Sequence, residues 1–259
     1  MTPPLRHPAL DLPGIAHGWF TREGGISEGL LASLNCGFGA GDETARVAEN
    51  RARALTALDL APDQLCTAYQ LHSARAVVAE TPWAAGDAPE ADALITTRPG
   101  LAVGVLTADC APVLLADPAA RVVAAAHAGW KGALLGIVEA AVGAMEQAGG
   151  VRERIVAAIG PCIGQASYEV GPEFPEPFLT QDPADADLFA AAGRSGHFRF
   201  DLAGYVARRL SRLGLARIET LGLDTCAEPA RFFSYRRASR TGETGYGRLL
   251  SAIALRETG

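Results

Sequence analysis

Three side chains with metal-binding or nucleophilic chemistry follow apolar, strand-like segments of the chain. His72 follows residues 67–71, Cys110 follows residues 103–109, and His127 follows residues 122–126. The segment that carries His127 runs on into the glycine-rich turn 129–132, and enzymes that mix strands and helices commonly keep their chemistry at such strand ends. The sequence therefore predicts that two imidazoles and one thiol serve a common site.

This residue set is compatible with two kinds of chemistry. A Cys/His/His set can hold zinc with a fourth position left open, where a bound water is acidified or a substrate oxygen is polarised. Copper accepts the same ligands. Alternatively, Cys110 could act as a nucleophile with His127 as its base, without a metal. Separations of 38 and 17 residues match no short metal motif, so spacing alone leaves these hypotheses open beside purely structural roles for the histidines.

Several neighbouring groups could assist such a site. Asp109 precedes the thiol and is a candidate proton carrier or a group that supports the metal ligands. Arg22 and Lys131 each lie beside glycines, where a cation and backbone donors could hold an anion together. Tyr235 and Arg236, within the aromatic and cationic run 232–237, could form a wall for a planar base.

One further motif is a glycine-rich turn at residues 37–42, directly before a predicted helix. Such a turn could cradle a phosphate. Its third glycine comes one position too early for the dinucleotide-binding fingerprint. A plain turn before a helix is therefore the favoured interpretation of this segment.

Composition limits the classes of function. The 259 residues include 49% hydrophobic residues, which is sufficient for a packed core, and we expect one domain over 1–259. A net charge of -6 disfavours binding to nucleic acid or to an anionic membrane. The five cysteines form no CxxC pair and the first residues do not resemble a signal peptide, so we expect reduced thiols in the cytoplasm.

The predicted elements indicate a mixed α/β (α+β) protein, because strands that resemble hairpins alternate irregularly with helices. Apolar residues at helical spacing predict helices over 43–58, 134–145 and 201–213. Apolar runs predict strands over 101–106, 112–115, 121–126, 155–159, 218–223 and 249–255. Two more short strands, one ending near Gln70 and one at 76–79, are expected to be neighbours across a tight turn.

Taken together, the motifs resemble those of the YfiH family, which is also described as laccase-domain or polyphenol-oxidase-like. The resemblance covers nearly the whole chain and rests on the segments 21–27, 34–35, 70–72, 91–94, 107–112, 127–132, 160–164 and 232–237. It implies a fold of two packed mixed sheets flanked by helices. It also implies that His72, Cys110 and His127 are zinc ligands.

The resemblance further implies an activity. The better supported activity of this family is phosphorolysis of purine nucleosides, so adenosine, inosine, guanosine and 5'-methylthioadenosine are the expected substrates with inorganic phosphate, and adenosine deamination is a second expected activity. The family pattern is less well kept near the C-terminus, where Ala238 replaces the usual aspartate. Arg248 is expected to keep the place of an arginine that helps to bind substrate.

Two rival functions follow from the family's other associations. One is a copper-dependent polyphenol oxidase, which five histidines in all are too few to support with a type 1 site and a trinuclear cluster. The other is a cysteine hydrolase in peptidoglycan quality control, with Cys110 as its nucleophile. A non-catalytic interaction protein is the least favoured class.

Overall fold

The computed structural model describes residues 2–257 and has a mixed α/β fold built on two packed mixed sheets. The strands are β1 Ile15–Trp19, β2 Leu65–Thr67, β3 Ala76–Val78, β4 Ala93–Thr96, β5 Ala102–Thr107, β6 Ala111–Asp117, β7 Val122–Ala128, β8 Val156–Ile159, β9 Glu169–Val170, β10 Phe189–Ala191, β11 Phe198–Phe200, β12 Arg217–Thr220 and β13 Leu249–Leu255. The α-helices are α1 Thr44–Thr56, α2 Trp130–Leu135, α3 Ile137–Gln147, α4 Glu176–Gln181, α5 Leu202–Ser211 and α6 Tyr235–Thr241.

The larger sheet has six strands in the order β12-β8-β6-β7-β4-β3, and the smaller has four in the order β1-β13-β5-β2. Each sheet contains both parallel and antiparallel pairs, as the predicted fold class requires. A third sheet, β10-β11-β9, is antiparallel and was not predicted from the sequence. Its strands have only two or three residues, too few for a pattern of alternation to stand out.

Strand β7 shows how the core is divided. Successive side chains of a strand point to opposite faces. Val122, Ala124 and Ala126 therefore pack into the core beneath helices α3 and α5. Val123 and Ala125 pack between the two sheets. His127 continues the second series, so its imidazole faces the space between the sheets.

Helix α1 covers the outer face of the four-stranded sheet. Leu55 of the helix and Leu58, which follows its end, are fully buried. Helix α1 matches the helix predicted over 43–58. The helix predicted over 134–145 is instead two helices, because Gly136 adopts φ +99° between α2 and α3. This left-handed conformation ends the first helix and changes the direction of the chain before the second.

One predicted neighbour relation is wrong. The strands on either side of His72 do not pair with each other, because β2 pairs with β5 in the four-stranded sheet and β3 pairs with β4 in the six-stranded sheet. The connection over 68–75 therefore crosses from one sheet to the other. Each strand gains a longer parallel partner in this way, which local sequence does not reveal.

None of the helices in the described range has the length and apolar character needed to span a bilayer.

Burial of His17 in β1 makes the free energy of unfolding depend on pH. Its side chain is almost fully buried and Nε2 accepts a hydrogen bond from the His7 N–H at 3.2 Å. Burial lowers the pKa of His17 to about 4. The unfolded chain, with an ordinary histidine pKa, binds this proton more tightly, so the stabilising contribution of neutral His17 is lost as the pH falls from about 6.5 towards 4.

We therefore expect the free energy of unfolding of the wild-type protein to fall more between pH 7 and pH 5 than that of His17→Gln. Urea unfolding at the two pH values measures the difference. His197→Gln, at a partly exposed site in the loop after β10, is the matched control. An equal pH dependence in the wild type and His17→Gln would show that His17 does not supply this term.

Candidate functional site

The three predicted ligands meet where two chain crossings pass between the sheets. Strands β2 and β5 are parallel neighbours, so the chain leaves both at the same end of the four-stranded sheet. It continues from β2 to His72 and from β5 to Cys110. His127 of β7 lies opposite Pro112 of β6, and Pro112 follows Cys110 by two residues in the sequence. The ligand atoms of the three residues lie within 4.8 Å of one another, and His72 Nε2 is 3.5 Å from Cys110 Sγ.

Two of the connecting residues adopt the left-handed conformation without being glycine. His72 has φ +59° and Asp109 has φ +89°. Non-glycine residues in such conformations cost about 1–3 kcal/mol and persist where surrounding contacts hold them, often at functional sites. Here the holding contacts are made by two buried carboxylates, Asp92 and Asp109.

Asp92 holds His72 and His127 in position through hydrogen bonds. It is fully buried, and its carboxylate accepts hydrogen bonds from the backbone N–H of Leu71, His72 and Ser73 at 3.2, 3.0 and 2.7 Å. It also accepts a hydrogen bond from Nδ1 of His127 at 2.8 Å. That bond directs the Nδ1 proton of His127 towards Asp92 and leaves Nε2 of His127 free for a metal, a common arrangement behind histidine ligands.

Electrostatics favour the ionised form of this carboxylate. Burial alone would raise the pKa of Asp92, but hydrogen bonds from His127 and Ser73 outweigh it and hold the pKa well below the ordinary value. Asp92 is therefore an acceptor throughout the physiological range. Asp92 lies within the sequence motif 91–94, but its role is not predictable from the sequence, because nothing local shows that residues 71–73 and His127 converge on it.

The two neighbouring histidines favour ionisation of the Cys110 thiol. Burial alone would raise its pKa, but His127 and His72 together lower it to about 6. Burial would likewise lower the pKa of His127, but Cys110 and Asp92 raise it to about 9. Both shifts favour a thiolate beside an imidazolium, and the thiolate is the form that binds a metal or attacks an electrophile.

Gly129 lets the backbone approach the ligands. A Cβ atom at this position would lie 2.5 Å from His72 Cδ2 and 2.9 Å from Cys110 Sγ. The glycine-rich turn after His127 is therefore required by close packing. Its φ of -69° is open to any residue, so steric contact and not backbone strain selects glycine here.

We expect Gly129→Ala to displace His72 and to weaken metal binding by about tenfold or more, as with other disturbances behind a metal ligand. Titration with a competing chelator measures the affinity. Gly143→Ala is a suitable control, because a Cβ there meets nothing within 4 Å. Unchanged affinity in Gly129→Ala would show that His72 is not held in place by this contact.

The donor set fits a metal. Two imidazole nitrogens and one thiolate leave a further position open for water or substrate, as in catalytic zinc sites, and copper tolerates the same ligands. Within residues 2–257 this is the one cluster of three or more histidine, cysteine or acidic side chains arranged to hold an ion. His72, Cys110 and His127 could therefore hold zinc or copper.

Two cavities meet at the cluster. They share His72, Ala108, Cys110 and Tyr235. The first has a volume of about 430 Å³ and is lined by Trp130, Tyr168 and Phe174, with the Trp130 and Phe174 rings 5.1 Å apart. The second has a volume of about 450 Å³ and carries the polar side chains of Gln70, Tyr246 and Arg248 together with His127. An aromatic cavity and a cationic cavity thus lie on two sides of one cluster.

The other predicted site residues are distributed unevenly. Tyr235 lines both cavities, Arg236 lines the aromatic one and Arg248 lines the cationic one. Lys131 is exposed and lines neither cavity. The guanidinium of Arg22 donates to the carbonyls of Ala32, Pro229 and Leu30, also outside both cavities. Phosphate binding by Arg22 or Lys131 remains a prediction that this placement does not favour.

Asp109 lines the aromatic cavity, but its carboxylate is fully engaged. It accepts hydrogen bonds from the hydroxyls of Thr225 and Ser234 at 2.7 and 2.9 Å and from the N–H of Arg236 at 2.6 Å. These bonds tie the C-terminal loop to the turn that carries Cys110. This geometry suits a positioning group better than a proton carrier.

Comparisons with known proteins relate the chain to a single protein family. A family model described as multi-copper polyphenol oxidoreductase laccase matches residues 16–256. The purine nucleoside phosphorylase of Deinococcus radiodurans is 40% identical over 98% of this chain and 93% of its own length. The purine nucleoside phosphorylase YfiH of Escherichia coli is 36% identical over 88% of this chain and 91% of its own length.

Solved structures agree with these sequence comparisons. The crystal structure of YlmD from Geobacillus stearothermophilus has a TM-score of 0.88 against this fold, with 29% identity, and the match covers 97% of this chain and 94% of that chain. The crystal structure of YfiH from Bacillus licheniformis has a TM-score of 0.83 with 30% identity, over 95% of this chain and 98% of that chain.

Proposed function

The chain belongs to the YfiH family of laccase-like proteins, and from that premise we propose that it is a zinc-dependent purine nucleoside phosphorylase. The proposed substrates are adenosine, inosine, guanosine and 5'-methylthioadenosine, each with inorganic phosphate. The proposed setting is the cytoplasm, where its thiols stay reduced.

One observation carries the proposal, which is that an aromatic cavity and a cationic cavity meet at the metal-binding cluster. A purine is planar and apolar on its faces, so it suits the rings of Trp130 and Phe174. Phosphate is a dianion, so it suits the guanidinium of Arg248. The ribose that joins them in the reaction would then lie near Tyr235, which both cavities share.

The reaction exchanges two bonds at the anomeric carbon of ribose. An oxygen of hydrogen phosphate forms a bond to this carbon as the bond to the purine nitrogen breaks, and the departing base takes up the proton that hydrogen phosphate loses. The chain's own contribution is to hold phosphate and nucleoside in line and to exclude water, which favours phosphorolysis over hydrolysis. Bound zinc, held by His72, Cys110 and His127, would supply a Lewis acid for a substrate oxygen.

Incubation with adenosine, with and without phosphate, tests the proposal. Phosphorolysis yields adenine and ribose 1-phosphate only when phosphate is present. Deamination, a second activity proposed for the same site, yields inosine and ammonia without phosphate. Failure to release a free purine base from any of the four nucleosides in phosphate buffer would refute the phosphorylase proposal.

Two alternative functions predict activity with other substrates. A copper oxidase would consume oxygen with a phenolic substrate, but apart from His72 and His127 no described histidine belongs to the metal-binding cluster. A cysteine hydrolase acting on cell-wall precursors would be favoured by the ionised thiol of Cys110. Its activity would survive chelation and would be blocked by metal-independent alkylation of Cys110.

A further inference from the structure

A third cavity, of about 250 Å³, adjoins the cationic cavity and contains a second arginine. The two cavities share Gln70, Leu106 and Arg248. The third cavity is also lined by Arg51 of helix α1 and by the turn Gly37 to Gly39. It therefore joins the glycine-rich turn of the sequence to the surroundings of the metal-binding cluster.

Arg51 is a desolvated cation held in a fixed position. Its Nε donates to the carbonyl of Cys36 at 2.8 Å, its Nη1 donates to Oγ1 of Thr67 at 3.1 Å, and its guanidinium lies over the Phe38 ring at 4.3 Å. Burial lowers the pKa of Arg51, and no carboxylate offsets this. Among the described residues its Nη2 has no hydrogen-bond partner, so this group is available to a ligand.

Arg248 is anchored to the same short segment. Its backbone N–H donates to Asn35 Oδ1, its carbonyl accepts from the Cys36 N–H, and its side chain packs so closely on Gly37 that a Cβ there would lie 2.7 Å from Arg248 Cγ. Its guanidinium lies over the Tyr246 ring and donates to the Tyr246 hydroxyl at 3.0 Å. Within residues 2–257 its side chain, like that of Arg51, donates to no carboxylate.

We propose that Arg51 and Arg248 form a binding site for a phosphate dianion at the side of the metal-binding cluster. Two fixed guanidinium groups without acidic partners present several N–H donors, and the Thr67 hydroxyl, which accepts from Arg51, can donate its own proton into the same cavity. A tetrahedral oxyanion matches this donor set. The identification of the anion as the co-substrate rests on the phosphorylase function proposed above.

Gln70 forms the boundary between this site and the cluster. Its side-chain amide donates to the Leu106 carbonyl and accepts from the Leu106 N–H, both at 2.8 Å. The amide is therefore fixed and His72 follows two residues later. Because Arg248 lines both cavities, an anion held by the two arginines lies beside the space that borders the metal ligands.

Direct binding of inorganic phosphate tests the site without any nucleoside. In a phosphate-free buffer at constant ionic strength, we expect added phosphate to raise the melting temperature of the wild-type protein. Arg51→Met and Arg248→Met should each weaken this binding by about tenfold or more, because each removes charge-assisted hydrogen bonds. Arg51→Lys, which keeps the charge but loses the planar fork, should give an intermediate affinity.

Arg53→Met is the matched control, since Arg53 lies on the same helix and pairs with exposed Glu49. It should bind phosphate as the wild type does. Melting temperatures without phosphate show whether each variant is folded. If Arg51→Met fails to fold, Arg51→Lys and Arg248→Met still decide the outcome.

Three results would overturn the inference. The first is equal phosphate binding in the wild type and in the folded arginine variants. The second is binding that is lost in Cys110→Ala but kept in Arg51→Met, which would place the anion on the metal. The third is Arg51-dependent stabilisation by AMP with none by phosphate, which would identify a phosphate ester as the ligand.

Kinetics separate this inference from the proposed function. If phosphorolysis occurs, the KM for phosphate should rise by about tenfold or more in Arg51→Met, with a much smaller change in the KM for nucleoside. Arginine-dependent phosphate binding in a protein that does not cleave nucleosides would support the anion site and refute the phosphorylase. Phosphorolysis with an unchanged KM for phosphate in both arginine variants would refute the site and keep the phosphorylase.

Discussion

Cys110→Ala should abolish both metal binding and turnover. The thiolate is the one charged ligand among the three, and its removal leaves two imidazoles, which hold zinc poorly. We expect the metal content to fall from about one ion per chain to a trace. Because a metal ion can supply several kcal/mol of transition-state stabilisation, nucleoside cleavage should fall by about a thousandfold or more.

Elemental analysis and product formation on the same preparation measure the two effects. Cys226→Ala is the matched control, since Cys226 is a partly buried cysteine outside the cluster. It should keep both the metal and the activity. Loss of activity with full metal retention in Cys110→Ala would point instead to a nucleophilic cysteine.

Asp92→Asn should weaken metal binding by about 10- to 100-fold, the usual cost of losing the group behind a histidine ligand. The amide oxygen can still accept the hydrogen bonds that one carboxylate oxygen accepts in the native site. The NH2 group, however, must replace either Oδ2, which accepts from the N–H groups of Leu71 and Ser73, or Oδ1, which accepts from the His72 N–H and from Nδ1 of His127. Because a buried donor then meets a donor, we also expect the free energy of unfolding to fall by about 2–4 kcal/mol.

Asp117→Asn separates the two effects. Asp117 is equally buried and accepts hydrogen bonds from the Val151 N–H and the Arg154 guanidinium, but it lies at the opposite end of β6 from Cys110. Urea unfolding should show that both variants are destabilised. Chelator competition should show weakened metal binding in Asp92→Asn alone, and equal affinities in the two variants would remove Asp92 from the metal site.

Much of the fold could be predicted because its elements have strong local patterns. Helix α1 buries Val47, Ala54 and Leu55 at helical spacing, and β6 and β7 are largely apolar runs. The pairing of short strands was harder to predict. β2 and β3 contribute three residues each, and their partners lie 37 and 17 residues further along the chain in two different sheets. Local sequence therefore could not distinguish a hairpin from a crossing.

The ligand residues of the site could be proposed from residue chemistry and from the family resemblance, because thiolate and imidazole groups are the usual ligands of zinc. Their supports could not. An aspartate such as Asp92 and an arginine such as Arg51 have no distinguishing local pattern. Their roles depend on burial and on which partners the fold brings to them.

The sequence by itself determined the fold class, the two imidazoles and the thiol, and the aromatic and cationic run near the C-terminus. Only the tertiary structure decided which groups converge. It brought Asp92 behind His127 and Gly129 against His72, and it left Arg22 in contact with backbone carbonyls. The physical reason is that hydrogen bonds, steric contact and desolvation act over a few ångströms in space, between residues that the chain separates by tens of positions.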